Sequence, residues 1–363
     1  MRVTDIVFVS MPWAALQRTP IQLGILCPIA QRAGFTAETR HFNLTSMEYF
    51  WSKTAGEAEH DRITFPDYVM ISEEYYEMGL GEWIFAVPPY RPYDRESDEE
   101  YFAYLQMKGV PEKALAKAAH MRALVPGFMD RCVEDILSAC PKMLGVTTCF
   151  SQNVPSLLLS KIVKERDPSI HVVFGGSNCD GPMGAAIHRL FPWVDTVVRG
   201  EAEVVLPSLM DDVLSGRTIR PQPGLCYRDG KDSIIAEEAR VEAEPLYVSP
   251  EPNYDQYFER IHQSTLASEI MPRVVVLFES ARGCWWGEKM HCTFCGLNGS
   301  SMSFRSKSAS NVAQEIFNLA SKYGCTNFQA VDNIIDMKYI NELLIGFTEF
   351  ATLEVDPLGG GNG

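Results

Sequence analysis

Basic charge is scarce in this chain for its length. Its 363 residues carry 32 Lys and Arg against 47 Asp and Glu, a formal charge of −15. Neutralising a phosphate backbone needs clustered Lys and Arg, and no such cluster occurs, so no nucleic acid is expected as a partner. Nor does any apolar run approach the roughly 20 residues that a membrane span requires. The chain opens directly on a strand pattern, "MRVTDIVFVSMPW", so no targeting segment is expected. No membrane association is expected, and the expected location is cytoplasmic. Ten cysteines lack the dense, regular spacing of a disulfide scaffold, which leaves reduced thiols and one local cofactor site. The remaining composition, 46% hydrophobic and 22% charged, is that of a globular protein long enough for two domains.

The first half alternates strand and helix patterns. "VTDIVFVS" reads as a buried strand, and "PIQLGILCPIAQRAG" as an amphipathic helix from Ile21 to Ala33. "TAETRHFNL" is a second strand. Further along, "RCVEDILSACPKMLGVTTCFS" reads helix then strand, "VPSLLLSKIVKERDP" helix, "IHVVFGGS" strand, "GPMGAAIHRLFP" helix, "VDTVVRGEAE" strand and "VVLPSLMDDVLSG" helix. Each parallel crossover needs a connecting element, so the alternation predicts an α/β fold: a parallel, Rossmann-like (flavodoxin-like) sheet covered by helices on both faces.

In such sheets ligands sit at the carboxyl ends of the strands. The candidate loops are therefore "SMPWAALQRTP" with Pro12 and Trp13, "TTCFSQN" with Thr148, Ser151 and Gln152, "GGSNCDG" with Gly175, Gly176 and Ser177, and "RGEAE" with Gly200 and Glu201. The glycine pair would let a bulky planar ligand approach the backbone, or is simply a tight turn. Thr148, Ser151 and Gln152 could donate hydrogen bonds to ligand amides, or serve as helix caps.

An acidic, aromatic insertion from about 46 to 129, with helical spacing in places, is expected as a subdomain packed over the ligand edge. "PGLCYRDGKDSIIAEEA" has the pattern of a hairpin turning at "RDGKD". The expected organisation is a first domain over 1–215, a linking segment over 216–270 and a second domain over 271–363.

The second domain opens with "VVVLFESARGCWWGEKMHCTFCGLNGS", where Cys284, Cys292 and Cys295 are spaced C-x7-C-x2-C. Three thiols within twelve residues of a polar loop suit a soft metal centre. Zinc is one candidate, with His291 completing a Cys3His set, although His291 adjoins Cys292 and is poorly spaced for closing a tetrahedron. A four-iron cluster on three cysteines, leaving one iron open to a substrate or cofactor, is the other.

The stretch "ESARGCWWGEKMHCTFCGLNGSSMSFRSKS" resembles the signature of radical S-adenosylmethionine (SAM) enzymes in the variant with seven residues between the first two cysteines. It is most similar to the cobalamin-binding C-methyltransferases that mature ribosomally made peptides (RiPPs). "PIQLGIL", "GGSNCDG" and "VDTVVRGEAEVVLPSL" resemble the cobalamin-binding domain of that family. The resemblance implies that Cys284, Cys292 and Cys295 ligate a [4Fe-4S] cluster and that the loop residues named above line a cobalamin site. It also implies that Phe294 and Gly296 lie against SAM and that Asp332, ending the second barrel strand "NFQAVDN", binds its ammonium. Phe294 could equally be a core anchor, and Asp332 a helix cap. The implied chemistry joins a carbon radical made from SAM to a methyl group delivered by cobalamin, on a precursor peptide, with flavodoxin or ferredoxin as reductant. Other readings are a cobalamin-binding module with a structural zinc loop, or radical chemistry with a non-methylating outcome.

Two features depart from the family pattern. No D-x-H-x-x-G loop occurs, so no imidazole from such a loop is expected beneath the cobalt. Residues 296 to 363, 68 in all, suffice for about two βα units, whereas the barrel of this family has about six. The expectation is an incomplete barrel that holds cofactors yet turns over poorly.

Overall fold

The computed structural model describes residues 3–237, 246, 249–296 and 302–342. The chain forms two units, Met1–Arg240 with Pro250–Val275, and Val241–Ser249 with Val276–Gly363. Among the described residues no helix is long and apolar enough to cross a membrane.

The first unit runs β1 (Ile6–Ser10), α1 (Ile21–Arg32), β2 (Ala37–His41), α2 (Phe42–Thr54), α3 (Phe65–Val69), α4 (Leu80–Phe85), α5 (Arg95–Met107), α6 (Glu112–Ser138), β3 (Met143–Thr147), α7 (Asn153–Arg166), β4 (His171–Gly175), α8 (Gly181–Leu190), β5 (Thr196–Val198), α9 (Val205–Leu214), β6 (Leu225–Asp229), β7 (Asp232–Ile235), α10 (Asp255–His262) and α11 (Ala267–Ile270). Its sheet has the order β2-β1-β3-β4-β5-β6-β7. The first five strands are parallel and the last two add an antiparallel hairpin. A 2-1-3-4-5 order is the flavodoxin-like arrangement, whose strand direction of travel reverses between β1 and β3.

Burial on both faces explains why β1 (IVFVS) and β3 (MLGVT) are continuous apolar runs, not alternating ones. Ile6 and Phe8 of β1 pack with Leu23 and Cys27 of α1 and Leu206 and Leu209 of α9. Successive strand residues face opposite ways, so Val7 and Val9 turn to the other face, where α2 lies against β1 and α6 packs on α2 and α7.

Two boundaries differ from expectation. The insertion does not close near 129, because α6 runs unbroken for 27 residues through Pro126. Pro and Gly disfavour a helix interior, but Val125, Phe128 and Met129 are fully buried and hold the helix together across Pro126-Gly127. The hydroxyl of Tyr49 occupies the space that a side chain at 127 would fill. The supposed link over 216–270 is structural: β6 pairs with β5 and extends the sheet. Its helix α10 closes the other sheet edge, where Gln256 Oε1 accepts from Thr39 N at 2.7 Å and Arg260 pairs with Glu48.

The second unit contains β8 (Val276–Phe278), β9 (Ala281–Arg282), α12 (Trp285–Lys289), β10 (Arg305–Ser306), α13 (Ala309–Tyr323), β11 (Phe328–Ala330) and α14 (Lys338–Glu342). Strands β8 and β11 are parallel and joined through α13, the βαβ unit with which a barrel begins. Helix α13 starts on Ser308, whose hydroxyl accepts from Asn311 N at 3.2 Å, and its inner face packs Ala309 and Val312 on Tyr339. Strands β9 and β10 form a separate antiparallel pair.

Candidate functional site

In the first unit the loops after β1, β3, β4 and β5 lie at the carboxyl edge of the sheet, as the topology requires. The structure divides the expected site residues into two groups. Thr148 is fully buried, with its amide donating to Gly175 O at 2.8 Å. Ser151 Oγ donates to Tyr76 O at 3.3 Å. Gln152, 4% exposed, uses both ends of its amide: Oε1 accepts from Cys149 N at 3.0 Å, and Nε2 donates to Met11 O at 2.5 Å. Pro12 is buried, and Trp13 Nε1 donates to Gly81 O at 2.8 Å while its ring packs on Tyr68 and Phe85. All five are turned inward and hold the loops and the insertion together, since a buried polar atom must find a partner. Gln152 takes the capping role that stood as the alternative to ligand donation.

The second group faces outward. Ser177 is exposed, with Oγ donating to Cys149 Sγ at 3.0 Å. Gly200 is exposed and Glu201 half-buried. Gly175 is half-buried, and a Cβ there would meet only Val198 O at 3.9 Å. Gly176 differs from it: at φ 97° and ψ 176° it occupies a region essentially closed to other residues, and a Cβ would come within 2.8 Å of Thr148 N. Of the glycine pair, the second makes the turn and the first leaves open space.

Two residues of this edge were not legible as site residues. Phe150 holds a left-handed backbone, φ 49°, and is 72% exposed with its ring edge-to-face on Tyr76 at 5.7 Å. The carbonyl of Phe150 accepts from Asn178 Nδ2 at 2.8 Å, which ties the β3 and β4 loops together. A left-handed aromatic residue is a strained conformation of the kind that functional loops retain. Glu82, from the insertion, accepts from Asn153 N at 3.0 Å and Val154 N at 2.6 Å, capping α7. Burial pushes its carboxyl up to about 7, against those two amide bonds, which favour the charged form.

In the second unit the cysteine loop leaves β9 through Gly283, whose φ of 77° and close approach to the backbone of Ser303 admit no side chain. Cys284 N donates to Met302 O at 3.1 Å, and Cys284 Sγ caps α12 by accepting from Gly287 N at 3.3 Å. Cys295 N donates to Cys292 O at 3.0 Å, forming the turn between the last two cysteines. All three cysteines are half-buried and none is in a disulfide. His291 and Gly296 are exposed, and Phe294, 90% exposed, is not a core anchor. Among the described residues no three His, Cys, Asp or Glu side chains are gathered closely enough to share one metal ion. The donor set is three half-buried cysteines on one loop, one already receiving an amide N–H, which suits an iron–sulfur cluster in ligand chemistry. Asp332, just past β11, accepts from Ser280 N at 2.9 Å through one oxygen and from Ser280 Oγ through the other.

No family model matches the chain. It is 29% identical over 184 residues, 49% of its length, to the cobalamin-dependent radical SAM methyltransferase TokK of Streptomyces tokunonensis, and covers 25% of that protein. It is 27% identical over 197 residues, 53% of its length, to a methyltransferase of Pyrococcus horikoshii described as uncharacterised, and covers 40% of that protein. The structure superposes with a TM-score of 0.55 and 13% identity on the radical SAM methyltransferase TsrM of Kitasatospora setae, solved with cobalamin and a [4Fe-4S] cluster bound. The match spans 98% of this chain and 52% of TsrM. The chain thus covers 25–40% of the length of the two sequence relatives and about half of TsrM. At that identity the structural likeness establishes the fold: a mixed α/β architecture built around a parallel sheet.

Proposed function

We propose that this protein is an enzyme, a cobalamin-dependent radical SAM methyltransferase, and that its substrate is a ribosomally made precursor peptide. The names of the relatives support the cofactors and the methyl transfer. The peptide substrate rests on the resemblance carried by "RGCWWGE", "CTFCGLNG" and "FRSKS". The observation that carries the reading is the pairing, in one chain, of three half-buried cysteines on the loop between β9 and β10 with a 2-1-3-4-5 sheet that exposes Phe150 at its carboxyl edge.

In this reading Cys284, Cys292 and Cys295 hold the cluster, and Gly287 N–H donates to the first sulfur. Phe294 and Gly296 lie on the loop where SAM would be met. Phe150, Gly175, Ser177, Gly200 and Glu201 form the exposed edge for cobalamin, while Thr148, Ser151 and Gln152 keep that edge in shape. Bound together, the cofactors supply a carbon radical able to take hydrogen from an unactivated C–H bond and a methyl group to place there. The protein orients them and excludes water. An electron donor of the flavodoxin or ferredoxin kind is required, and ten cysteines outside any disulfide suit the reducing cytoplasm. The test is anaerobic incubation of the reconstituted chain with SAM and a chemical reductant. Cleavage of SAM that disappears in Cys284→Ala supports the reading, and no cleavage with a fully assembled cluster contradicts it.

A further inference from the structure

The cysteine loop needs a fixed take-off point, and one residue supplies it. Ser280 is 3% exposed and every polar group it has is engaged. Its amide donates to Asp332 Oδ1 at 2.9 Å and its hydroxyl donates to Asp332 Oδ2. Its carbonyl accepts from Lys307 N at 2.9 Å, and Tyr339 Oη lies 3.1 Å away. Tyr339 is itself buried, with Oη 2.7 Å from Lys307 O, so it joins the carbonyls on either side of the β9 and β10 pair. Asp332 is set in turn by the ladder, since Val331 N donates to Phe278 O at 3.0 Å.

From Ser280 to Cys284 the chain has no slack. Four residues span at most ~14 Å. Two of them are paired in β9, and the third is Gly283, locked by its backbone and by Ser303. Wherever Asp332 holds Ser280, the sulfur of Cys284 follows. We propose that Asp332 is a positioning residue for the cluster loop, acting through Ser280, rather than the ligand for the SAM ammonium. The inference rests on the reading that the three cysteines carry a cluster.

The experiment uses the full chain as wild type, Asp332→Ala, Ser280→Ala and the double variant, each reconstituted anaerobically. It reads the rate of iron loss to a chelator and the low-temperature EPR spectrum of the reduced cluster with and without SAM. The expected result is faster iron loss in both single variants, on the order of tenfold in Asp332→Ala and less in Ser280→Ala, which keeps the amide bond to Asp332 Oδ1. The double variant should be no faster than Asp332→Ala, because that substitution already removes both bonds to Ser280. The clusters that remain should still shift their EPR signal when SAM is added. Full iron retention in Asp332→Ala with loss of the SAM-induced shift would overturn the proposal in favour of ammonium binding, as would additive effects in the double variant. Asp332→Asn, which keeps an acceptor for the Ser280 amide, guards against misfolding and should lie between wild type and Asp332→Ala. A wild-type chain that takes up no iron defeats the cluster reading itself, a result distinct from any difference among the variants.

Discussion

The glycine pair after β4 allows the turn and the ligand approach to be separated by two single substitutions. Gly176→Ala places a residue in a backbone region that costs about 1–3 kcal/mol for any side chain. It also drives a Cβ against the backbone of Thr148, 2.8 Å from its nitrogen, where no flexible side chain can yield. Overpacking of that kind costs a further ~1–3 kcal/mol. Together the substitution should destabilise the first unit by about 3 kcal/mol, which for a domain of this size lowers the melting temperature by roughly 6–12 °C. Gly175→Ala should stay within ~0.5 kcal/mol, because its Cβ meets only Val198 O at 3.9 Å. Thermal unfolding followed by circular dichroism measures both. If Gly176→Ala melts within 1–2 °C of wild type, the account of this turn is wrong. Since Gly175→Ala leaves the fold intact, reduced retention of added cobalamin in that variant would report ligand approach alone.

Glu82 and His188 give predictions of opposite sign with pH. The folded carboxyl of Glu82, about 7, lies above its ordinary value of about 4.5, so its contribution to stability is full below 4.5 and lost as pH rises through 7. Urea unfolding from pH 5 to 8 should show this decline, and Glu82→Gln should flatten it; an unchanged slope refutes the assignment. Burial lowers His188 to about 4, with its ring bonded to Ser233 Oγ at 2.6 Å and Asp195 O at 3.1 Å. Its contribution is therefore present above 6.5 and lost as pH falls toward 4, and His188→Gln should make that fall shallower in the same assay. Gly283→Ala should push the Met302 and Ser303 backbone away from Cys284 and cut the iron retained after reconstitution by half or more, measured by a colorimetric iron assay.

The parallel strands were legible because strands buried on both faces are written as unbroken apolar runs such as IVFVS and MLGVT. The hairpin turn at 229–232 was legible from its residues, but the addition of β6 to β5 was not, since it depends on pairing across the sheet. The end of the insertion near 129 was not legible, because α6 runs through Pro126-Gly127, where local propensity disfavours a helix and tertiary burial carries it through. At the sheet edge the sequence located the loops through topology alone. It could not say which way their side chains point. Thr148 and Gln152 could read as ligand donors or as caps, and their side chains satisfy buried backbone groups, while Phe150, apolar and unremarked, turns outward on one left-handed residue. That outcome follows from the hydrogen bonds between loops, which no single segment encodes. The cysteine spacing, by contrast, lies within one loop and needed no tertiary knowledge.

The central claim is that one chain joins a cluster-bearing cysteine loop to a cobalamin-holding sheet. Its most direct measurement is iron, sulfide and corrinoid content after anaerobic reconstitution with added cobalamin. About four iron, about four sulfide and about one corrinoid per chain are predicted, with the iron and sulfide lost and the corrinoid kept when Cys284, Cys292 and Cys295 are replaced by alanine. Colourless protein carrying about one zinc and no corrinoid would contradict it.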